Sequence, residues 1–209
     1  MLVPILSALI LVSAAIHIRA EYAGPKVRVY VFKPLTTALI LLLAATAATE
    51  TPAYRNAILA GLAFSLLGDV FLMLPKDRFI PGLAAFLIAH LWYVAAFTHG
   101  TGFHTAVLPL LPYLAGGLAL MFVLWPHLGK MRAPVLVYGV VIVVMGWQAA
   151  ARWDALGGTG PLLAALGATL FIVSDATLAL NRFARPFPAA QALILTTYYA
   201  AQWMIALSV

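Results

Sequence analysis

The chain has 209 residues, of which 65% are hydrophobic and only 9% charged, and its mean hydropathy is +1.04. A soluble domain is about 25% charged, so this composition excludes a soluble globular protein and points to an integral membrane protein. The formal charge of +6 reads as membrane orientation rather than affinity for nucleic acid, and the lack of cysteine excludes disulfides and thiol-based metal or nucleophilic chemistry.

Apolar runs long enough to cross a bilayer predict eight helices, roughly 2–19, 33–49, 54–74, 79–98, 105–125, 134–152, 160–180 and 188–208. The first has no basic stretch before it and reads as a spanning helix rather than a cleaved leader. The second opens at Lys33-Pro34. The third carries Asp69 in "FSLLGDVFLML" and ends at Pro75. The fourth puts His90 and Tyr93 on one face at i,i+3. The seventh carries Asp175 in "LFIVSDATLAL". The eighth holds Tyr198, Tyr199 and Gln202, with Tyr198 and Gln202 on one face at i,i+4. The breakers Gly24-Pro25, Pro52, Pro75, Gly100, Gly102, Pro126, Gly157-Gly158, Pro186 and Pro188 lie in the short connections. Long apolar runs without period-2 alternation predict helices rather than a barrel. The fold expected is all-α and polytopic, one membrane-embedded domain over 1–209.

Orientation follows from Lys and Arg. Arg19, Lys26, Arg28, Lys33, Lys76, Arg78, Lys130, Arg132, Arg182 and Arg185 fall on one side, against Arg55 and Arg152 on the other. This bias makes the first side cytoplasmic and places both termini outside. The chain also echoes itself. "GDVFLMLPKDRFIPGLAAFLIAH" (68–90) resembles "SDATLALNRFARPFPAAQALILTT" (174–197), with Asp69 and Asp175 106 residues apart. A tandem repeat of four helices follows, with halves of about 1–104 and 105–209. An even number of helices gives both copies the same orientation.

The two aspartates lie at matching depth. Asp69 is about 9 Å from the end of its helix and Asp175 about 10 Å from Arg182, at 1.5 Å per residue. Carboxylates are costly in hydrocarbon and usually face a bundle interior or a cavity. With Lys33, His90, Tyr93, Tyr198, Tyr199 and Gln202 they are expected to form one polar pocket open to the cytoplasmic leaflet. Each neighbour also has a plainer reading. Lys33 can snorkel to the interface, His90 can be a contact between helices, and the tyrosines can be packing aromatics. Trp92, Trp147, Trp153 and Trp203 read as packing or belt residues. His17, His99, His104 and His127 fall at predicted helix ends or in loops. No histidine pair has a recognised metal spacing, so no metal site is expected.

The segments "GTGPLLAALGATLFIVSDATLALNRF", "ALILTTYYAAQWMIALS" and "GLAFSLLGDVFLMLP", with "AHLWY" and more weakly "KPL", closely resemble the YhhN family of eight-helix membrane proteins. Its characterised members include the lysoplasmalogenases. The likeness covers most of the chain from the second helix onward. The family's polar positions map onto Lys33, Asp69, His90, Asp175, Tyr198, Tyr199 and Gln202. The resemblance implies hydrolysis of the vinyl ether bond of a lysoplasmalogen to a fatty aldehyde and glycerophosphoethanolamine or glycerophosphocholine. It implies no metal or organic cofactor, a lysophospholipid and membrane lipids as the only partners, and no obligate protein partner.

Two carboxylates suit this chemistry. A vinyl ether is hydrolysed by protonating its β-carbon, which creates an oxocarbenium ion that water then attacks. One group must donate a proton and another must be negative near the cation, as in glycoside hydrolysis. Asp69 and Asp175 are the expected acid/base pair, His90 and a tyrosine would orient them, and Lys33 would meet the substrate phosphate. A small proton-coupled transporter is the main rival, since it too uses intramembrane acids and repeats. An intramembrane aspartyl protease is disfavoured because its GxGD signature is absent: the segment reads Leu66-Leu67-Gly68-Asp69. A different ether lipid is a further alternative. The compact chain suggests a bacterial plasma membrane.

Overall fold

The computed structural model describes residues 2–209, and among these the regular structure is entirely helical. Eight long helices follow in order: α1 (Leu2–Tyr22), α2 (Lys26–Ala45), α3 (Pro52–Met73), α4 (Phe79–Phe97), α5 (Leu110–Leu124), α6 (Arg132–Leu156), α7 (Thr159–Ala179) and α8 (Ala190–Leu207). Two 3-10 turns, Trp125–His127 and Gly129–Met131, join α5 to α6, and α7 ends in a π-helical turn, Leu180–Ala184.

Seven of the helical segments are long and apolar enough to cross a membrane, which makes the chain an integral membrane protein. The eighth, α8, is 18 residues long and more polar, because Gln191, Thr196, Thr197, Tyr198, Tyr199 and Gln202 dilute its apolar residues.

Several boundaries move from the sequence expectation. Helix α2 starts at Lys26, not Lys33. Lys26 and Arg28 interrupt the apolar run, but a charge on an exposed face does not break a helix, and Pro25 is extended at the cap. Lys33 therefore lies inside the helix rather than opening it. Helix α5 begins at Leu110, not 105, because residues 103–107 continue the irregular segment after Gly102. Between α6 and α7 the chain turns through Gly157 and Gly158 at φ 63° and 77°, a conformation closed to most side chains.

The helices pack as α3 on α4 and α7 on α8, with α2 on α3, α6 on α7, α1 on α2 and α8, and α4 on α6. Lipid gives no hydrophobic drive between helices, so close approach through small residues carries the packing. A methyl group on Gly61 would sit 2.3 Å from the ring of Tyr93 in α4, and one on Gly68 would sit 2.5 Å from Phe86. Across α7 and α8, a methyl on Gly167 would meet the carbonyl oxygen of Ala201 at 2.8 Å. Helix α5 is the loosest: it packs on α6 and the Leu180–Ala184 turn, and Leu124 is its buried residue.

The end opposite the basic loops is tied by side chains rather than by secondary structure. Arg152 donates to the carbonyls of Phe97 (3.3 Å) and His99 (2.7 Å) at the end of α4. Gln148, fully buried in α6, accepts from the His104 backbone N–H (2.9 Å) and donates to the His104 carbonyl (3.0 Å). The loop after α4 is thereby clamped over the end of α6.

Candidate functional site

The two aspartates sit in two separate settings. Asp69, on α3, is buried. Its Oδ2 accepts hydrogen bonds from Thr37 of α2 (2.6 Å) and Tyr198 of α8 (2.7 Å). The Lys33 ammonium stands 3.8 Å from its Oδ1. Lys33 lies about two turns into α2, and with Thr37 at i+4 it meets Asp69 from one face of that helix.

Asp175, on α7, accepts a hydrogen bond from the hydroxyl of Tyr138 on α6. His90 of α4 approaches from the other side, with Nε2 4.0 Å from Oδ2. That separation exceeds hydrogen-bond range, and neither ring nitrogen of His90, which is fully buried, has another partner. The His90 ring packs edge-on against Phe171 (centroids 4.7 Å) and Tyr138 (5.1 Å).

An aromatic layer links the two settings. Phe171 packs edge-to-face on Tyr198 (5.4 Å) and Phe86 (6.1 Å), and Phe86 packs on Tyr198 (5.9 Å). The side chains that hold one carboxylate are thus distinct from those that hold the other. The expectation of one shared polar pocket resolves into two centres joined by apolar rings.

Only one of the two acids faces open space. A cavity of about 530 Å³ runs between α4, α5, α6 and α7, and its walls are apolar apart from Asp175, the Tyr138 hydroxyl and the Trp147 indole N–H. Lys33, Asp69, His90, Tyr93, Tyr198, Tyr199 and Gln202 are not part of its lining. Tyr93 instead donates to Gln202 (2.6 Å), bonding α4 to α8 in the core.

Sequence reasoning missed three partners. Tyr138 belongs to a helix whose single polar residue at that depth stood out little among valines. Thr37 is a common residue in an apolar helix. His17, expected at a helix end, lies within α1 and is fully buried, with Nδ1 2.7 Å from the Tyr199 hydroxyl and Nε2 3.2 Å from Glu21. The signal for His17 was its spacing from Glu21, i and i+4 on one helix face. Among the described residues no group of three or more metal-ligating side chains converges.

The YhhN family model matches residues 29–209. The chain is 42% identical over 157 residues to a protein named lysoplasmalogenase TMEM86A from Bos taurus, covering 72% of this chain and 64% of that protein. It is 41% identical over 157 residues to human lysoplasmalogenase TMEM86B, again over 64% of the relative. A match of 34% over 194 residues extends to 92% of both chains for the uncharacterized membrane protein YhhN of Escherichia coli O6:H1. The chain thus spans somewhat less than two thirds of the mammalian relatives and nearly all of the bacterial one. No solved structure matches it.

Proposed function

This chain belongs to the YhhN family, and we propose that it hydrolyses the vinyl ether bond of a lysoplasmalogen, releasing a fatty aldehyde and the glycerophospho-headgroup alcohol. One observation carries the reading: a single carboxylate, Asp175, faces an otherwise apolar cavity of about 530 Å³ between four helices. That is a shape and polarity for a lipid chain with one reacting end. The mammalian relatives named lysoplasmalogenase support the same substrate.

Asp175 is the proton donor. Oδ2 is engaged by Tyr138, so Oδ1 carries the proton and delivers it to the β-carbon of the vinyl ether. The double bond's electron pair forms the new C–H bond, and the α-carbon and ether oxygen share the resulting positive charge. Water adds to the α-carbon and gives its proton to the Asp175 carboxylate. The hemiacetal then collapses: its hydroxyl proton leaves, the C–O bond to glycerol breaks, and the departing oxygen takes a proton. Asp69, behind the aromatic layer, is a positioning residue. Paired with Lys33 and bonded by Thr37 and Tyr198, it ties α2, α3 and α8 together behind the rings that back Asp175. Tyr138 orients Asp175, and the His90 ring packs against Tyr138. Tyr93 with Gln202, and Tyr199 with His17, hold the helices that carry these groups. Lys33 serves Asp69 in this reading rather than the substrate phosphate.

The arrangement of the bundle belongs to the same proposal. Helix α8 is the eighth span: 18 residues rise about 27 Å, and its Tyr198, Tyr199 and Gln202 turn inward. The halves are a tandem repeat. Asp69 takes its partners from α2 and α8, and Asp175 takes its partners from α6 and α4, which are the equivalent helices. Gly61 and Gly167, spaced like the two aspartates, each admit the next helix of their own half. The basic side faces the cytoplasm of a bacterial plasma membrane, both termini face outward, and the site opens toward the cytoplasmic leaflet.

The test is aldehyde release from a lysoplasmalogen by purified protein, beside Asp175→Asn and Asp69→Asn. Loss of at least a hundredfold in Asp175→Asn is expected, with a smaller loss in Asp69→Asn. Near-native turnover in Asp175→Asn would remove the mechanism. No aldehyde from folded wild type, with substrate-dependent proton flux in vesicles instead, would favour a transporter.

A further inference from the structure

Resting on the hydrolase reading, we infer that Trp147 sets the length of hydrocarbon chain the cavity accepts. The cavity has a near end and a far end. Asp175 and Tyr138 lie toward the end of the bundle that carries Arg132 and Arg182, about 10 Å from Arg182 along the helix. A phosphorylated headgroup stays at that wet, basic end. The chain attached to the reacting carbon therefore runs the other way, along α5 and α6.

Trp147 and Leu110 mark the far end. Trp147 is the last residue of α6 to line the cavity, and Leu110 is the first of α5. From Tyr138 to Trp147 the α6 wall rises about 14 Å. The indole is not a loose plug. Its N–H donates to the carbonyl of Ala106 (2.7 Å), and its ring meets Phe103 edge-on at 5.3 Å. The adjacent Gln148 bonds the His104 backbone through both its amide oxygen and its amide nitrogen. The wall at this end is a large ring fixed in place by the loop that covers it. A chain that runs along α5 and α6 meets this ring at the last position where α6 lines the cavity.

The consequence is a break in the dependence of affinity on chain length. Each methylene that packs against the cavity wall adds affinity over its contact with loose lipid or detergent chains, because the wall is more densely packed, and methylenes beyond the indole add nothing. Val143 lines the cavity between Tyr138 and Trp147, so enlarging it shortens the available space without touching the end wall.

The experiment measures binding of 1-O-alkyl lysophosphoethanolamines of graded chain length to wild type, Trp147→Ala and Val143→Phe. These saturated ethers lack the double bond, so they report binding alone. Aldehyde release from lysoplasmalogens of matched lengths is followed in parallel. The expected result is a break that moves to longer chains in Trp147→Ala and to shorter chains in Val143→Phe. A break unmoved in both variants overturns the inference, and if aldehyde is still released the hydrolase reading stands without it. A break that moves while neither wild type nor variants release aldehyde supports the length stop and removes the hydrolase reading.

Discussion

Replacing Lys33 by methionine tests whether its charge belongs to Asp69 or to the membrane surface. The ammonium and the carboxylate are 3.8 Å apart, and Lys33 is 12% exposed while Asp69 is 2% exposed. At an effective dielectric constant near 20 their attraction is about 4 kcal/mol. Removing one member of a buried pair costs about 3–5 kcal/mol, because the other charge stays behind without compensation. The hydrogen bonds from Thr37 and Tyr198 remain and place Lys33→Met toward the lower end of that range. Lys33→Met/Asp69→Asn removes both charges and is expected to recover to within about 1–2 kcal/mol of wild type. The assay is reversible unfolding in mixed micelles with wild type, both single variants and the double. A cost below about 1 kcal/mol in Lys33→Met, with no coupling in the cycle, would refute the pairing and return Lys33 to a snorkelling role.

Other outcomes follow from contacts at the same level of detail. Tyr138→Phe removes the hydrogen bond on Asp175 and leaves the ring packing, so turnover should fall about 10- to 100-fold with little change in thermal stability. Gly61→Ala drives a methyl into the Tyr93 ring, which its bond to Gln202 holds in place. A loss of about 1–3 kcal/mol is expected by thermal unfolding, and Gly61→Ala in a Tyr93→Leu background should recover part of it. In the loop after α3, the hydrogen bond from Arg182 and then that from the Phe79 backbone hold the Asp77 carboxyl below its ordinary value of 3.8. Its folded value is depressed, so any stabilisation is present above pH 3.8 and is lost as pH falls through the folded value. Because Asp77 is fully exposed, Asp77→Asn should lower the melting temperature only slightly at neutral pH, and added salt should erase the difference.

The amino-acid sequence alone determined that this chain lives in a membrane as a helical bundle. Bilayer thickness and the obligation to pair every backbone polar group leave few other solutions for such long apolar runs. It also marked the two carboxylates, because charge in hydrocarbon is costly enough to stand out residue by residue. The exact start of α2 was hidden, since Lys26 and Arg28 lower hydropathy without opposing helix formation. Which polar residues meet is a property of helix rotation and crossing, and no single helix encodes it. Thr37, Tyr138 and His17 became partners of the polar centres only when α2, α6 and α1 were seen against their neighbours. Tertiary structure likewise decided that Asp175 faces open volume while Asp69 does not. The reason is packing: α3 is drawn tightly onto α4 through Gly61 and Gly68, whereas α5 packs on α6 and on the turn after α7 and leaves a space beside one acid alone.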